Sequence, residues 1–249
     1  MCYHVSSPVA AKIKALLGDD AVVEDWSEEH HHVSGFSNVQ LPVLTTEQPK
    51  RVQAFTWGLI PEWCKDESQA RELQAVTLNA KSETAFEKPS FRSISKKRCL
   101  VFVDGFFEWR EYKKKNYPYF IRLKDQDAFA LGGLYENWVN KATGEIINTC
   151  SIITTPANAV MEVIHNKKKR MPFMLPKNRM YDWIAPDLSQ AQIQQQMQPL
   201  PAEALDYWTI SKRITSRNEP DDVPDVKAPF HYAELPDVNG NAFDLFSSL

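Results

Sequence analysis

The sequence predicts an α+β fold with a largely antiparallel β core, and three observations support this prediction. Runs rich in β-branched and aromatic residues follow one another in the middle of the chain, as strands do. The aromatic residues, 11% of the total, are concentrated in this block. Helical patterns do not alternate regularly with the runs, which argues against a doubly wound parallel sheet.

Two helices and two strands are predicted before this block. The first helix has a start signal at Ser7, with Pro8 at the first helical position, and a stop signal at Gly18. An acidic loop containing EEHHH follows, and the next two strands are predicted from SNVQLPVL and RVQAFTWGLI. The second helix is predicted from KDESQARELQAV.

The block itself is predicted to form successive strands from RCLVFVDGFFEW, YPYFIRL, DAFALGGLYENW and NTCSIITT. Thr155 is then available as the N-cap of a helix, with Pro156 behind it, that runs towards His165. Shorter helices are predicted over KNRMYDWI and LSQAQIQQQM, and one more strand over YWTISKRIT. From Glu219 onwards the chain is acidic and proline-rich, which favours a loop leading to a loosely held tail.

Length and composition indicate one domain over residues 1–249, with a core at about 2–218 and a tail at 219–249. The net charge of −3 gives no global electrostatic reason to bind duplex nucleic acid. The sequence has neither an apolar run of about 18 residues nor a secretory signal. We therefore expect an intracellular protein without a membrane partner.

The cysteines at positions 2, 64, 99 and 150 lie far apart and form no CxxC pair, so we expect free thiols and no metal site. No GxGxxG, GxxxxGK[ST], HExxH or GxSxG motif occurs, which argues against the common nucleotide-binding, zinc-protease and serine-hydrolase interpretations. No cofactor is expected. Cys2 needs an explanation, because a reactive thiol beside the initiator methionine is an unusual position for a structural cysteine.

The histidines differ in what they indicate. His30, His31 and His32 are consecutive and cannot build a tetrahedral metal site alone, so a solvated loop is favoured. His165 follows an apolar helical face and precedes the basic stretch NKKKRMP. Its residue type is as consistent with a helix-end histidine as with a catalytic one.

Glu108 and Asn79 are further candidates. Glu108 is four residues from Asp104 in VDGFFEW, so a regular strand would place both on one face. Glu108 then either faces solvent or lies in an apolar pocket with a raised pKa. Asn79, in TLNAKSET, is typical of a helix cap or turn.

Basic clusters stand near aromatic residues that include Trp57 and Trp63 of WGLIPEW. Such clusters are most often solubilising faces. The combination also suits single-stranded nucleic acid, in which bases stack on rings and phosphates contact cations.

Taken together and in order, MC, WGLIPEW, NAKSET, RCLVFVDGFFEW, LGGLYENW, IITTPAN and IH followed by RMP resemble the SOS-response-associated peptidase (SRAP) family of abasic-site processing proteins. The match extends from Cys2 to about Asn218. The resemblance implies one α+β domain with a barrel-like β core and a positively charged cleft for single-stranded DNA. It also implies that the N-terminal cysteine captures abasic sites covalently.

The resemblance assigns the family's catalytic positions to four residues of this chain: Cys2 as nucleophile, Asn79, Glu108 and His165. It assigns DNA contacts to Lys81 and Arg170, and a base-wedging aromatic region to WGLIPEW, with Trp57 and Trp63.

The chain departs from the family pattern at three places. The usual start resembles CGR, whereas His4 stands here in place of the arginine and is expected to replace its DNA contact only partly. Lys81 replaces an arginine, which exchanges a forked guanidinium for a point charge. Three extra residues separate His165 from Arg170, and the added lysines, among Lys167, Lys168 and Lys169, are expected to supply phosphate contacts.

Removal of Met1 would give Cys2 a free amine beside its thiol. The amine would form an imine with the abasic-site aldehyde, and the thiol would close it to a thiazolidine. We expect an enzyme that matures itself, of nominal peptidase or lyase class, that is monomeric and cytoplasmic, and nucleoid-associated when bound to DNA. Two alternatives remain: a cysteine-type peptidase or N-terminal nucleophile hydrolase, and a non-covalent single-stranded DNA-binding module.

Overall fold

The computed structural model describes residues 2–23, 26–216 and 218–238. This part of the chain contains thirteen strands: β1 His4–Ser7, β2 His30–Ser34, β3 Gln40–Thr45, β4 Val52–Trp57, β5 Asn79–Lys81, β6 Arg98–Val103, β7 Gly105–Tyr112, β8 Lys115–Leu123, β9 Phe129–Val139, β10 Ile146–Pro156, β11 Arg170–Pro172, β12 Met174–Leu175 and β13 Leu205–Thr209. It also contains five α-helices: α1 Ala10–Leu17, α2 Glu67–Val76, α3 Ala159–Ile164, α4 Met180–Trp183 and α5 Gln190–Gln196. None of these helices is both long and apolar enough to cross a membrane.

Five strands close into a barrel, in the order β10, β4, β3, β6, β9 and back to β10. All neighbouring pairs in this ring are antiparallel except β10 and β4, which run parallel with Thr149 opposite Thr56. The interior is filled by apolar residues such as Phe55, Val101 and Leu131, none of them more than 1% exposed. The predicted α+β fold with a barrel-like, largely antiparallel core is confirmed.

A second sheet of five strands has the order β13, β8, β7, β1, β2. Its strand β1 lies between β7 and β2, and Val5 faces Phe106 on one side and Val33 on the other. The N-terminal strand is therefore fixed on both edges, which gives the residues just before it a defined position.

The segment RCLVFVDGFFEW forms two strands that belong to different sheets, with the break at Asp104. A Cβ at the next residue, Gly105, would lie 2.1 Å from the Phe120 ring, so the crossing needs glycine. Asp104 accepts a hydrogen bond from Lys227 Nζ at 2.7 Å. The expectation that one regular strand contains both Asp104 and Glu108 is therefore wrong, because Asp104 lies in the break before β7 begins.

Two predicted helix starts differ from the structure, although the predicted helix ends hold. Ser7 ends β1 and α1 begins at Ala10 without a side-chain cap, while Gly18, with φ of 97°, ends it. Asn158, not Thr155, caps α3 by accepting a hydrogen bond from Met161 N at 2.9 Å. In both places the residue that was predicted to cap the helix belongs to the preceding strand.

The remaining elements follow the sequence more closely. The predicted helix over KDESQARELQAV is α2, capped by Asp66, and α5 begins with a capping box at Ser189. KNRMYDWI forms a short 3-10 turn followed by α4, and YWTISKRIT forms β13 only as far as Thr209 before a 3-10 turn. All four cysteines are buried free thiols, as predicted.

The C-terminal segment is packed against the domain as far as residue 238. Val226 and Leu235 are buried, and Trp208 Nε1 donates to Lys227 O at 2.7 Å. The loosely held tail expected from composition is therefore not found over 219–238. The rest of that predicted tail, 239–249, lies outside the described residues.

Candidate active site around Cys2

Cys2 lies directly before β1 and is completely buried. Its carbonyl oxygen accepts a hydrogen bond from Asn79 Nδ2 at 2.8 Å. Asn79 belongs to β5, which pairs with β10, so its predicted role as a helix cap or turn residue is wrong. Its other side-chain atom, Oδ1, is buried without a hydrogen-bond partner among the described residues.

Glu108 lies on β7, the neighbour of β1, and is 5% exposed. Of the two interpretations of this carboxylate, the buried one applies. Burial raises the pKa of Glu108 to about 8, because an ionised carboxylate loses its hydration there. Its Oε1 atom has no hydrogen bond of ordinary geometry among the described residues.

His165 ends helix α3, which packs against β7, and this places its ring beside Glu108. His165 Nδ1 lies 2.9 Å from Arg170 O and 3.4 Å from Glu108 Oε1. A carbonyl oxygen can only accept, so Nδ1 carries the proton and Nε2 has the lone pair. The next residue, Asn166, anchors this corner by donating to Glu111 O at 2.8 Å on β7 and accepting from Glu111 N at 3.1 Å.

The Glu108–His165 pair is neutral at pH 7. Burial, with the positive charges of Lys168 and Arg170, lowers the pKa of His165 to about 4. Since the pKa of Glu108 is raised to about 8, the carboxyl keeps its proton and the imidazole is uncharged. A buried acid with a pKa close to the ambient pH is suited to proton transfer.

The Cys2 thiol is also protonated at neutral pH. Burial raises its pKa well above the usual range, and the nearby Glu108 raises it further. The predicted removal of Met1 lies outside the described residues.

A cleft of about 420 Å³ opens beside these groups. It is lined by Tyr3, His4, Glu108, Trp109, Asn116, His165, Lys167 and Lys168. Sequence reasoning missed Tyr3, Trp109 and Asn116 as cleft residues. The position of Trp109 next to Glu108 was the available signal, whereas Asn116 is brought in by β8 and carries no local signal.

The extra residues after His165 form a turn between α3 and β11. Lys168 N and Lys169 N both donate to His165 O, and Lys169 has a positive φ of 50°. Lys167 and Lys168 lie at the cleft, with Lys167 paired to Glu111, and Lys169 is exposed. The insertion therefore adds cations at the mouth of the cleft.

Arg170 and Lys81 lie on β11 and β5, which both pair with β10, and the two residues differ in exposure. The Arg170 side chain is 12% exposed and donates to Glu83 Oε2 at 2.9 Å and to the backbone oxygen of Thr154. Lys81 ends β5 and is exposed. A phosphate would have to displace Glu83 to reach Arg170.

The two tryptophans of WGLIPEW have different surroundings. Trp57 is completely buried and its Nε1 donates to Leu78 O at 2.8 Å. A ring in the core offers no face to a base, so Trp57 does not fit the DNA-contacting role expected for it. Trp63 is 47% exposed and keeps an open face, although it does not line the cleft.

His4 lines the cleft, and its ring is held by a hydrogen bond to another histidine and not extended as an arginine would be. Its Nδ1 lies 2.9 Å from His32 Nε2, and burial lowers the pKa of His4 to about 4.

The histidines of β2 contact two carboxylates: His32 contacts Asp221 at 3.0 Å, and His30 contacts Asp222 at 3.0 Å. The solvated-loop interpretation of residues 30–32 is therefore wrong, because these residues form β2 and His30 and His32 are bound by two distant carboxylates.

Comparisons with known proteins agree with this architecture. The model of the SOS response associated peptidase (SRAP) family matches residues 1–217. The abasic site processing protein YoqW of Bacillus subtilis is 35% identical over 201 residues, covering 80% of this chain and 86% of the relative. The abasic site processing protein HMCES of Gallus gallus is 28% identical over 209 residues, covering 75% of this chain and 60% of the relative.

A crystal structure of a protein from Bacteroides thetaiotaomicron is similar with a TM-score of 0.86 and 38% identity. The match covers 92% of this chain and all of that one. Because the family model spans most of the sequence and the fold agrees, the chain belongs to the SOS response associated peptidase (SRAP) family.

Proposed function

We propose that this protein recognises abasic sites in single-stranded DNA and captures them as a covalent thiazolidine on Cys2 after Met1 has been removed. Relatives that match most of the chain are named abasic site processing proteins. The observation that carries the proposal is the position of Cys2. Asn79 holds its carbonyl, and Glu108 lies close enough to the thiol for its carboxylate charge to raise the thiol pKa.

The first step is imine formation. A free α-amino group has a pKa of about 7.7 to 8.0, so a useful fraction is neutral near pH 7. The neutral amine adds to the aldehyde of the ring-opened sugar and gives a carbinolamine. Glu108, protonated at this pH, donates its proton to the carbinolamine hydroxyl, which leaves as water.

The second step is ring closure. Glu108 is now a carboxylate and accepts the thiol proton while sulfur attacks the imine carbon, so its original protonation state is restored. A thiol with a raised pKa needs such a base. Because amine and thiol belong to one residue, closure of the five-membered ring has a large effective-molarity advantage.

Two buried oxygens support a ligand at this place. Asn79 Oδ1 and Glu108 Oε1 both lack hydrogen-bond partners among the described residues. Buried acceptors of this kind are rare and costly, so they call for a donor. The processed amine or a sugar hydroxyl supplies one, and His165 orients the sugar from the other side of Glu108.

DNA contacts are proposed for the mouth of the cleft. Lys167, Lys168 and Lys169 provide phosphate contacts, and Lys81, exposed at the end of β5, adds a further cation. Tyr3 and Trp109 line the cleft and give the bases rings to stack on. A single strand suits this combination because its bases are free to stack. We propose that the protein acts as a monomer.

The electrostatics argue against a general cysteine peptidase. A cysteine nucleophile reacts as the thiolate and is usually activated by a lowered pKa. Here burial raises the pKa of Cys2 and lowers that of His165 to about 4. A thiolate–imidazolium pair is therefore disfavoured, and the amine of processed Cys2 is the better first nucleophile.

Intact-mass analysis before and after exposure to a single-stranded abasic oligonucleotide tests the proposal. We expect the isolated protein to lack Met1 and then to gain the oligonucleotide mass, minus one water, in a product that survives denaturation. Cys2→Ala should give no such product, whereas Cys64→Ala, which removes another buried thiol, should react like the parent. An adduct that persists in Cys2→Ala would overturn the mechanism. Binding without any adduct would indicate the non-covalent alternative.

A further inference from the structure

Three side chains on three separate segments form a continuous hydrogen-bonded chain that ends at the cleft. Asp221 Oδ2, in the C-terminal segment, lies 3.0 Å from His32 Nδ1 on β2. His32 Nε2 lies 2.9 Å from His4 Nδ1 on β1, and the two ring planes are within 9° of parallel, an arrangement that permits an in-plane hydrogen bond between them. His4 lines the cleft and packs edge-on against Trp109, with ring centroids 4.7 Å apart.

The chemistry of the donors and acceptors fixes the protons along this chain. A carboxylate only accepts, so His32 Nδ1 donates to Asp221. A neutral His32 then accepts at Nε2, which requires His4 to donate from Nδ1. His4 is left with a lone pair on Nε2, and that atom has no hydrogen-bond partner among the described residues.

The arrangement differs from that of a phosphate-binding cation. Burial of His4, and a positive charge on His32 if it forms, both disfavour protonation of His4, and the pKa falls to about 4. At neutral pH the position that is arginine in the usual family pattern therefore presents an acceptor. The Asp221 side chain is 46% exposed, so the far end of the chain reaches solvent.

The proposed chemistry uses the neutral amine, and near pH 7 the remaining fraction of processed Cys2 is an ammonium. The ammonium of processed Cys2 must lose a proton before it can add to an aldehyde. Glu108 is already protonated at neutral pH and cannot accept that proton. The lysines at the cleft, Lys167 and Lys168, have no acceptor atom when charged.

We propose that Asp221, His32 and His4 form a proton relay between the cleft and solvent. In this relay His4 is the group that contacts the substrate, and His32 and Asp221 are positioning residues. His4 Nε2 accepts a proton from the Cys2 ammonium while His4 Nδ1 passes its own proton to His32 Nε2. The result is a neutral His4 and a His32 imidazolium paired with Asp221, from which the proton leaves to water. That the Cys2 ammonium is the proton donor rests on the proposed function. The positions of the protons on His32 and His4 do not rest on it.

Other charged groups near the relay do not replace it. His30 and Asp222 are the adjacent pair, and Asp222 Oδ1 accepts from the backbone N–H groups of His31 and His32. His165 also lines the cleft and has a lone pair on Nε2, but its Nδ1 donates to the carbonyl oxygen of Arg170, which cannot pass a proton on towards solvent. Burial lowers the pKa of His32, so its imidazolium is transient, and Asp221 is the carboxylate placed to stabilise it.

The first test reads the protonation pattern directly and needs no DNA. Long-range ¹H–¹⁵N NMR of ¹⁵N-histidine-labelled protein at pH 7 should show His32 protonated at Nδ1 and His4 protonated at Nδ1, with both Nε2 atoms unprotonated. Asp221→Asn should disturb this pattern at both rings. A His4 protonated at Nε2, or one that is doubly protonated, would overturn the relay.

The second test measures single-turnover crosslinking to a single-stranded abasic oligonucleotide at increasing DNA concentration. Asp221→Asn and His4→Arg should each lower the maximal rate about tenfold, with little change in the half-saturating DNA concentration. Asp222→Asn, which removes the adjacent carboxylate charge and leaves the side-chain contacts between Asp221, His32 and His4 in place, should keep the maximal rate. His4→Arg at full rate, or a change only in half-saturation, would mean that His4 is a phosphate contact and the relay is wrong. If the parent protein forms no adduct, the proposed function fails, and the NMR pattern still decides the relay.

Discussion

Two carboxylate–histidine pairs lie on either side of β1, and they hold their protons in opposite ways. On the β7 side, Glu108 Oε1 lies 3.4 Å from His165 Nδ1, and both side chains are less than 10% exposed. On the β2 side, Asp222 Oδ2 lies 3.0 Å from His30 Nδ1, and the carboxylate is 41% exposed. The residue types are nearly the same, so the surroundings make the difference.

Burial dominates in the first pair and hydrogen bonding in the second. Burial raises the pKa of Glu108 to about 8 and lowers that of His165 to about 4, which leaves both neutral. Burial also opposes charge at His30 and Asp222, but it is outweighed by their mutual hydrogen bond, with Glu28 as a further partner of His30. The pKa of His30 is therefore raised and that of Asp222 lowered, which gives an ion pair. A neutral pair can exchange protons with a substrate, whereas an ion pair holds two segments together.

The largest change in crosslinking rate is expected when Glu108, which carries the exchangeable proton of the neutral pair, is replaced. Glu108→Gln has a similar shape but cannot donate and recover a proton, so crosslinking to an abasic oligonucleotide should be about 100-fold slower. Single-turnover rates on denaturing gels measure this, and a gel shift should show DNA binding retained. Asp222→Asn is the matched control and should react at close to the parent rate. If Glu108→Gln and Asp222→Asn slowed crosslinking equally, the neutral pair would have no special role in proton transfer.

The same substitution should stabilise the protein at alkaline pH. A carboxyl with a folded pKa of about 8 keeps its proton while the unfolded chain releases it, so stability falls as pH rises from about 4.5 to 8. Glu108→Gln removes this penalty, and we expect it to be about 2 to 4 kcal/mol more stable than the parent at pH 8. The gain should disappear near pH 5. Urea unfolding at both pH values checks this, and a gain that does not depend on pH would show that Glu108 is ionised in the folded protein.

Loss of the histidine partner should have a smaller effect on the rate. His165→Ala removes the ring that orients the sugar beside Glu108, and we expect crosslinking to slow about tenfold with DNA binding largely kept. His31→Gln, at a histidine of β2 outside both pairs and the relay, serves as the control for loss of an imidazole. If His165→Ala weakens DNA binding and leaves the maximal rate intact, His165 is a DNA-positioning residue.

Local sequence preferences predicted individual elements well and their partners poorly. The β-branched and aromatic runs became β3, β4, β8, β9 and β10, and Asp66 capped α2. The break at Asp104 and the capture of Ser7 and Thr155 by strands depend on pairing with distant segments, which local preference does not contain. Closure of the barrel through parallel β4 and β10 is a pairing of the same distant kind.

The candidate site shows the same limit. The family resemblance assigned Cys2, Asn79, Glu108 and His165 to one site, and the structure gives the contacts between them. The HHH run was predicted to be a solvated loop. This prediction failed because the partners of the run, Asp221 and Asp222, are almost 200 residues away, in a segment of polar, proline-rich composition. Burial of Trp57 likewise follows from barrel closure and from no feature of WGLIPEW.

The smallest effect, on folding stability, is expected from breaking the ion pair between His30 and Asp222. His30 with a raised pKa stabilises the protein below about pH 6.5, and this contribution is lost as pH rises through the folded pKa. Asp222 with a lowered pKa stabilises it above about pH 4, and this contribution is lost as pH falls through the folded pKa. The pair is therefore most favourable between these limits. Because Asp222 is partly exposed, solvent screening limits the contribution to about 1 kcal/mol.

Asp222→Asn should accordingly lower the free energy of unfolding by about 0.5 to 1 kcal/mol at pH 5.5, and by less at pH 8.5, because His30 loses its charge as pH rises through its folded pKa. The asparagine oxygen can still accept from the N–H groups of His31 and His32, so the segment stays docked and only the charge is tested. Urea unfolding at low and high salt separates the ionic part, because screening should reduce the difference. A loss that grows towards pH 8.5 would mean that His30 is neutral and that both pairs flanking β1 hold their protons alike.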